Sequence, residues 1–265
     1  MARRPGLLPW PVLALAAVSF ALLAVPVASA FISCPPGELI KVASDPEVLR
    51  ALATSFATAT ITTLLSLALG TPLAYALSRA GRRMRSVAEA VLAVPVLLPH
   101  SAAGVALLSV LGPASPFRGL RDIVLDAPLG IIAAQAFVSA PLLIFSARAA
   151  FDDVPVDLEL AARSLGASRL RTFFWVSLPL ARRGILAGAL LTWARALSEF
   201  GAVVVLAYYP MTVPVLVYHR FLAWGLRGSQ PVVALLVLLT AVILACLTCL
   251  GVSPYGRGGI GRVSS

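Results

Sequence analysis

Charge is scarce in this chain: only 12% of its 265 residues are Asp, Glu, Lys or Arg, against about 25% in an ordinary soluble domain. The single lysine, Lys41, follows Leu39 and Ile40, so the Gly-Lys-Ser/Thr phosphate loop of a P-loop ATPase is excluded. Two isolated histidines, His100 and His219, do not make the cluster of acids, histidines or a nucleophile that a membrane enzyme needs. The three cysteines form no framework. Cys246 and Cys249 have CxxC spacing, but they fall in an apolar run where positions i and i+3 share a helix face, and they read as buried small hydrophobes. No basic stripe is interleaved with aromatics, so the formal net charge of +10 does not point to nucleic acid.

What the chain has in abundance is apolar surface: 60% hydrophobic residues and a mean hydropathy of +0.95. A bilayer core of about 30 Å takes about 20 apolar residues per helix. Six runs meet that length, at residues 7–33, 51–78, 87–112, 129–147, 184–209 and 231–252. The expected fold is therefore an all-α, multi-pass protein of the cell membrane, one domain over residues 1–265, with no internal repeat. The first run, with Arg3 and Arg4 before it and Ala28-Ser29-Ala30 at its end, fits a secretory signal as well as a retained span; its length favours the span.

Charge follows the loops. With the N-terminus in the cytoplasm, 14 cations fall inside, from Arg3 and Arg4 through the basic turn at Arg79–Arg85 and the arginines of 148–183 to Arg257 and Arg262. Only 6 fall outside: Lys41, Arg50, Arg118, Arg121, Arg220 and Arg227. That asymmetry predicts cytoplasmic N- and C-termini. The expected outer loops, 34–50, 113–128 and 210–230, are rich in Pro and Gly and suit solvated connections open to an external partner.

The longest inner connection, about residues 150–183 between the fourth and fifth spans, reads as two short helices. Asp157 is placed to cap the first, with Pro155 just upstream and Gly166 as its stop. Leu158, Ala161, Ala162 and Leu165 then share one face. A second helix starts at Ser168, carries Phe173, Phe174 and Trp175, and is expected to end near Leu178 because Pro179 lacks an N–H. Such an element packs under its own spans, lies in the headgroup layer or enters another protein's groove.

The segment Glu159-Leu160-Ala161-Ala162-Arg163-Ser164-Leu165-Gly166, with Pro179 downstream, resembles the EAA loop of ABC importer permeases. Leu160 stands where that family has glutamate, and Glu159 precedes it by one residue, so the acid is either displaced or functionally absent. Thr192-Trp193-Ala194-Arg195-Ala196-Leu197-Ser198-Glu199-Phe200-Gly201-Ala202 resembles the fifth-span signature of molybdate, tungstate and sulfate permeases. The segments Leu98-Pro99-His100-Ser101 and Tyr208-Tyr209-Pro210-Met211-Thr212-Val213-Pro214 are similar to the archaeal molybdate/tungstate branch.

The resemblance implies a permease subunit importing molybdate or tungstate, with sulfate or thiosulfate as the alternative. It implies a second permease copy, two separate ATPase subunits holding ATP and Mg, an extracellular oxyanion-binding protein, surrounding membrane lipid, and no cofactor or enzymatic site on this chain. The coupling contacts would be Glu159, Leu160, Ala161, Ala162, Arg163, Gly166 and Pro179. An ion-coupled secondary transporter is the rival from another class, but such folds commonly carry internal repeats.

Within the spans, Arg195 and Glu199 stand out. A charge at mid-bilayer costs about 2.5–3.5 kcal/mol on insertion scales. At i and i+4 the two share a helix face and neutralise each other. A satisfied ion pair and a lining or gate of the translocation path both fit that spacing. His100, just after Pro99, fits a local kink with a hydrogen-bonded ring or a break that opens backbone groups to a cavity. Gly184 and Gly188 have the spacing that allows close helix approach.

Overall fold

The computed structural model describes residues 9–249. Among them all regular structure is helical: α1 (Trp10–Ile32), α2 (Pro36–Ala43), α3 (Pro46–Ser78), α4 (Arg82–Leu97), α5 (His100–Val110), α6 (Arg121–Val124), α7 (Pro128–Asp152), α8 (Val156–Ser164), α9 (Arg169–Thr172), α10 (Leu178–Leu197), α11 (Gly201–Leu206) and α12 (Val213–Cys249). A π-turn, Phe173–Ser177, joins α9 to α10 without interruption. The ends of the first and last expected runs, Arg3, Arg4, Arg257 and Arg262 lie outside the described residues, as do the side chains of Cys246 and Cys249.

Five stretches are long and apolar enough to cross a bilayer, 10–32, 46–78, 128–152, 169–197 and 213–243, and α4 with α5 makes a sixth if that bent pair is one span. The protein is therefore an all-helical, multi-pass membrane protein. Its breaks differ from the sequence reading in four places. The run 87–112 bends by 112° between α4 and α5. Leu98 turns extended ahead of Pro99, as steric conflict with the proline ring dictates, so of the kink and the break that fit the sequence the structure has the break. The run 184–209 is interrupted at Ser198–Phe200, leaving α11 as a separate short helix. Residues 213–230, expected as an outer loop, are helical as the first part of α12. Pro214 sits in the first turn, where no amide is needed, and only Gly225, at φ 65°, departs from helical geometry. Finally, Pro179 does not stop the second loop helix. It stands in the first turn of α10 just past the π-turn, where the ladder of i to i−4 bonds is already offset.

The described residues form two compact units. One takes in the chain up to Leu49 and from Val217 onward. Here Arg220, placed in a loop by the sequence reading, is a buried residue of α12 and pairs with Asp45 and Glu47. Asp45 also caps α3, its carboxylate accepting from the Glu47 N–H at 2.9 Å. The Arg220 bond holds the Asp45 carboxyl below the ordinary carboxylate range, against the upward push of partial burial. Apart from Ala30, α1 leaves its apolar surface unburied, suited to hydrocarbon.

The other unit is Arg50–Leu216, with α7 at its centre. One core joins Ala74 and Leu77 of α3, Leu143, Ile144, Ala147 and Phe151 of α7, and Ala181 and Ile185 of α10. A second joins Ala103 of α5, Ile131, Ala134 and Val138 of α7, and Ala202, Val203 and Leu206 of α11. Lipid tails are as apolar as leucine, so helices here associate through small residues and interhelical hydrogen bonds. Both appear. Ser146 donates to the Gly184 carbonyl at 2.9 Å, Thr192 to the Ser139 carbonyl at 3.2 Å, and Thr62 to Gln135 Oε1 at 3.1 Å.

Gly184 and Gly188 thus serve a contact within the chain, between α10 and α7. A Cβ at Gly188 would lie 2.8 Å from Ser146 Cβ and 3.1 Å from Leu143 Cα. Gly188→Leu should lower the thermal unfolding midpoint in detergent, in line with an overpacking cost of about 1–3 kcal/mol. Gly37→Ala, where nothing lies within 4 Å, should leave the midpoint unchanged or slightly raised.

Candidate functional site

Besides the ion-pair network of Arg85 and Glu89 in α4 with Arg148 and Asp152 in α7, two places in the Arg50–Leu216 unit gather charged side chains. The first is the connection between α7 and α10. Pro155 stands at the N-cap of α8 and no side chain caps that end, so Asp157 is a first-turn acid rather than the expected cap. The other end is closed as expected. Gly166, at φ 91°, donates to the Arg163 carbonyl at 3.0 Å, and Ala167 donates to the Ala162 carbonyl at 3.0 Å, the paired bonds of a Schellman stop. Ser168 then caps α9 by accepting from the Arg171 N–H at 3.3 Å.

Glu159 anchors this connection. It is 1% exposed. Its Oε1 accepts from Arg79 Nη2 and from Ser177 Oγ, both at 2.7 Å, and its Oε2 accepts from the Tyr75 hydroxyl at 3.2 Å. Arg79 also donates to the carbonyls of Phe151 and Val154, at 3.1 and 3.3 Å. One carboxylate therefore ties α8 to the end of α3, and through Arg79 to the end of α7, while Ser177 ties it to the π-turn. Tyr75, Phe151 and Phe173 pack ring on ring beside it, with centroids 4.9–6.1 Å apart. Burial is the largest single influence on the Glu159 carboxyl and pushes its pKa up. The bonds from Arg79, Ser177 and Tyr75, with the charge of Arg79, outweigh burial and hold it below the ordinary range. The bond to Glu159 raises the Arg79 guanidinium in turn.

With Glu159 turned inward, its apolar neighbours on α8 face out, while Ala162 is half-buried. Leu158, Leu160 and Leu165 are 47%, 49% and 89% exposed, and Ala161 is exposed beside them. Of the aromatic residues only Phe173 packs inward; Phe174 and Trp175 are 57% and 79% exposed.

The second place is a cavity of about 430 Å³ lined by His100, Arg195, Ser198, Glu199, Phe200 and Gly201. It sits where both helix breaks meet. Glu199, 1% exposed, accepts from Arg195 Nη2 at 2.7 Å through one oxygen and from the Ala202 N–H at 2.8 Å through the other. The carboxylate thus neutralises the arginine and satisfies an amide that the first turn of α11 leaves without an intrahelical partner. Arg195 Nη2 also lies 2.8 Å from His100 Nε2, and His100 Nδ1 lies 3.6 Å from Glu199 Oε2. Gly201 lets the two breaks approach: a Cβ there would collide with His100. A side chain with a free face remains: Arg195 is 25% exposed and His100 45%.

The structure thus brings His100, Arg195 and Glu199 together and separates the loop residues into an inward Glu159 and an outward Leu160, Ala161 and Leu165. Sequence reasoning missed Tyr75, Arg79 and Ser177. Arg79 was read as one of several topology-setting cations, and nothing in its spacing marks a partner 80 positions away. It also missed Asp126, at φ 48°, whose carboxylate accepts the Tyr208 and Tyr209 N–H groups at 2.8 and 3.3 Å and ties the loop before α7 to the turn after α11.

Long apolar helices, broken where charged side chains meet in a cavity, define a multi-pass membrane protein of the transporter class. The chain belongs to the family described as binding-protein-dependent transport system inner membrane component, which matches residues 63–252. It is 46% identical over 198 residues to the molybdate/tungstate transport system permease protein WtpB of Pyrococcus abyssi, covering 75% of this chain and 76% of that one. It is 40% identical over 244 residues, 92% and 90% of the two chains, to a probable molybdenum ABC transporter permease protein of Haloferax volcanii. Among solved structures, a bacterial ABC transporter involved in the import of the acidic polysaccharide alginate shares the fold, with a TM-score of 0.67 at 15% identity, covering 92% of this chain and 93% of that one.

The Glu159 bonds generate a stability prediction. Glu159→Ala leaves Arg79 without its counter-charge and should cost about 3 kcal/mol or more, read as a fall in the thermal midpoint. Because the Glu159 pKa is depressed in the folded chain, its contribution is complete above the ordinary carboxylate value of about 4.3 and is lost as pH falls through that value toward the lower folded one. The difference in midpoint between wild type and Glu159→Gln should stay constant from about pH 8 to about pH 5.5 and shrink below about pH 4.

Proposed function

We propose that this chain is the translocating subunit of an ABC importer for molybdate and tungstate, driven by ATPase subunits on separate polypeptides. The observation that carries this reading is the loop held by Glu159. Its buried carboxylate fixes α8 to the ends of α3 and α7 while Leu158, Leu160, Ala161 and Leu165 remain exposed, a surface fit for a groove on another protein. A push on α8 then reaches the spans through hydrogen-bonded contacts rather than through a slack linker. The names of its relatives support the substrate, and the absence of a Gly-Lys-Ser/Thr loop from the 265 residues supports a separate energy source.

In this reading the loop and both termini face the cytoplasm, two copies flank the path, two ATPase subunits bind ATP and Mg beneath them, and an external binding protein delivers the oxyanion. Arg195 offers a passing anion a guanidinium already poised by Glu199, so the anion meets positive charge without the cost of an unpaired cation in the membrane. The ring of His100 narrows the same cavity.

The test is reconstitution in proteoliposomes with the ATPase and the binding protein. ATP-dependent uptake of molybdate and tungstate is expected, with sulfate at equal concentration carried poorly; sulfate as the preferred substrate would overturn the assignment. Gly166→Leu puts a side chain at φ 91°, a strain of about 1–2 kcal/mol, and should cut uptake per ATP hydrolysed several-fold while the chain still inserts. Arg195→Ala and Glu199→Ala should each lower uptake by at least about tenfold. A double variant that assembles and transports normally would remove the cavity from the path.

A further inference from the structure

The cavity where the two helix breaks meet is lined by three ionisable side chains, His100, Arg195 and Glu199. The neighbouring helices add none: α5 beyond His100, α11, α7 over 128–147, α3 over 51–74, α4 over 90–97 and α10 over 184–194 carry no acid, base, cysteine or tyrosine. The charge of the cavity is therefore set by these three groups. With a neutral imidazole, Arg195 and Glu199 cancel. With an imidazolium, the cavity holds one net positive charge.

The geometry is that of the neutral ring. Arg195 Nη2 lies 3.0 Å from His100 Nδ1 and 2.8 Å from Nε2, so the guanidinium rests against the ring beside both nitrogens. A neutral imidazole has a lone pair to offer a cation. An imidazolium has only donors and a positive charge, and at these distances it repels a guanidinium. Glu199 Oε2 lies 3.6 Å from Nδ1, just beyond hydrogen-bond reach, and becomes the better partner once both ring nitrogens carry protons. The change is confined to the side chain. A Cβ on Gly201 would lie 2.5 Å from His100 Cβ, so the backbone there is closely packed, whereas the His100 side chain is 45% exposed.

We propose that protonation of His100 opens this cavity to the oxyanion. Neutral, the ring covers the guanidinium that an anion would meet. Protonated by solvent, to which it is open, the ring leaves Arg195 for Glu199, and the cavity gains the positive charge that favours an anion. Glu199 keeps the Ala202 N–H on its other oxygen, so the start of α11 stays satisfied through the change. Histidine is the side chain whose charge changes between about pH 5 and pH 8, which puts anion entry under the control of pH in that range. The inference rests on the reading of the cavity as part of the anion path and adds to it the group that admits the anion.

The test reads molybdate uptake by proteoliposomes holding the full chain, the ATPase and the binding protein, with the same pH on both faces, between about pH 8 and about pH 6. The pH dependence of the partners and of the anion is common to wild type and variants, so the ratio of wild-type to His100→Gln uptake isolates the ring. That ratio should rise roughly tenfold as pH falls across the range, the low end of what charge of one sign in a cleft does for an entering ion. His219→Gln, at the chain's other histidine, should follow wild type throughout. Helical content and elution volume establish that each variant is folded, and His100→Asn takes the place of the glutamine variant if that one is not. A flat or falling ratio overturns the proposal, as does a His219→Gln profile that departs from wild type while His100→Gln follows it. Arg195→Ala separates the two levels of the reading. Uptake at wild-type level in that variant removes the cavity from the path and this inference with it, whereas lost uptake together with a flat His100→Gln ratio removes this inference alone.

Discussion

A carboxylate buried in a chain with 11 acids is a concentrated commitment, and the Glu159 to Arg79 bond is where the loop between α7 and α10 is fastened to the spans. Glu159 supplies the side-chain hydrogen bonds that tie α8 to the spans. With it, the ends of α3 and α7, the start of α8 and the π-turn share one set of hydrogen bonds. The polar contacts are mutually dependent: the carboxylate needs Arg79 to remain ionised under burial, and Arg79 needs the carboxylate to remain in an aromatic and backbone-lined recess. The exposed apolar face of the loop exists because its acid points the other way.

The same economy appears in the spans. Lipid supplies no hydrogen bonds, so every interruption of a helix must be satisfied by protein or by a water-filled cavity. The break at Pro99 and the break at Ser198–Phe200 lie against each other, and Glu199 serves both the amide of Ala202 and the guanidinium of Arg195. The charge pair is thus part of the device that allows the helix to break. The pairing makes Arg195 tolerable within a span, and its remaining exposure gives it a face to the cavity.

The sequence made the apolar runs legible because length and absence of charge are local properties, and the i, i+4 spacing made Arg195 and Glu199 legible for the same reason. It also made Gly166 legible, since a helix stop with positive φ depends on the residue that occupies it. What failed were local rules overruled by neighbours. Asp157 has the chemistry of a cap, but Pro155 takes that position. Pro179 has the chemistry of a stop, but the π-turn before it absorbs the missing amide. The Pro and Gly content of 210–230 reads as loop, yet Pro214 falls in a first turn and Gly225 in a kink, where both are compatible with a helix. Arg79 could not be assigned at all, because its partner is set by how α3 and α8 meet.

Leu160 shows how far a motif reading can travel before geometry is needed. The pattern places an acid at that position, and its absence suggested that a polar contact had been displaced or lost. In the fold the two neighbouring positions point in opposite senses: Glu159 is enclosed and Leu160 is 49% exposed. An acid at 159 therefore cannot stand in for one at 160 on the outward face, since moving by one residue turns a helical side chain by about 100°. Glu159 has its own role as an inward anchor, and the outward position 160 is apolar where the motif would make it charged. In the proposed docking, a groove that receives this loop would meet Leu160 with an apolar wall, because a buried charge left without its counterpart weakens a contact.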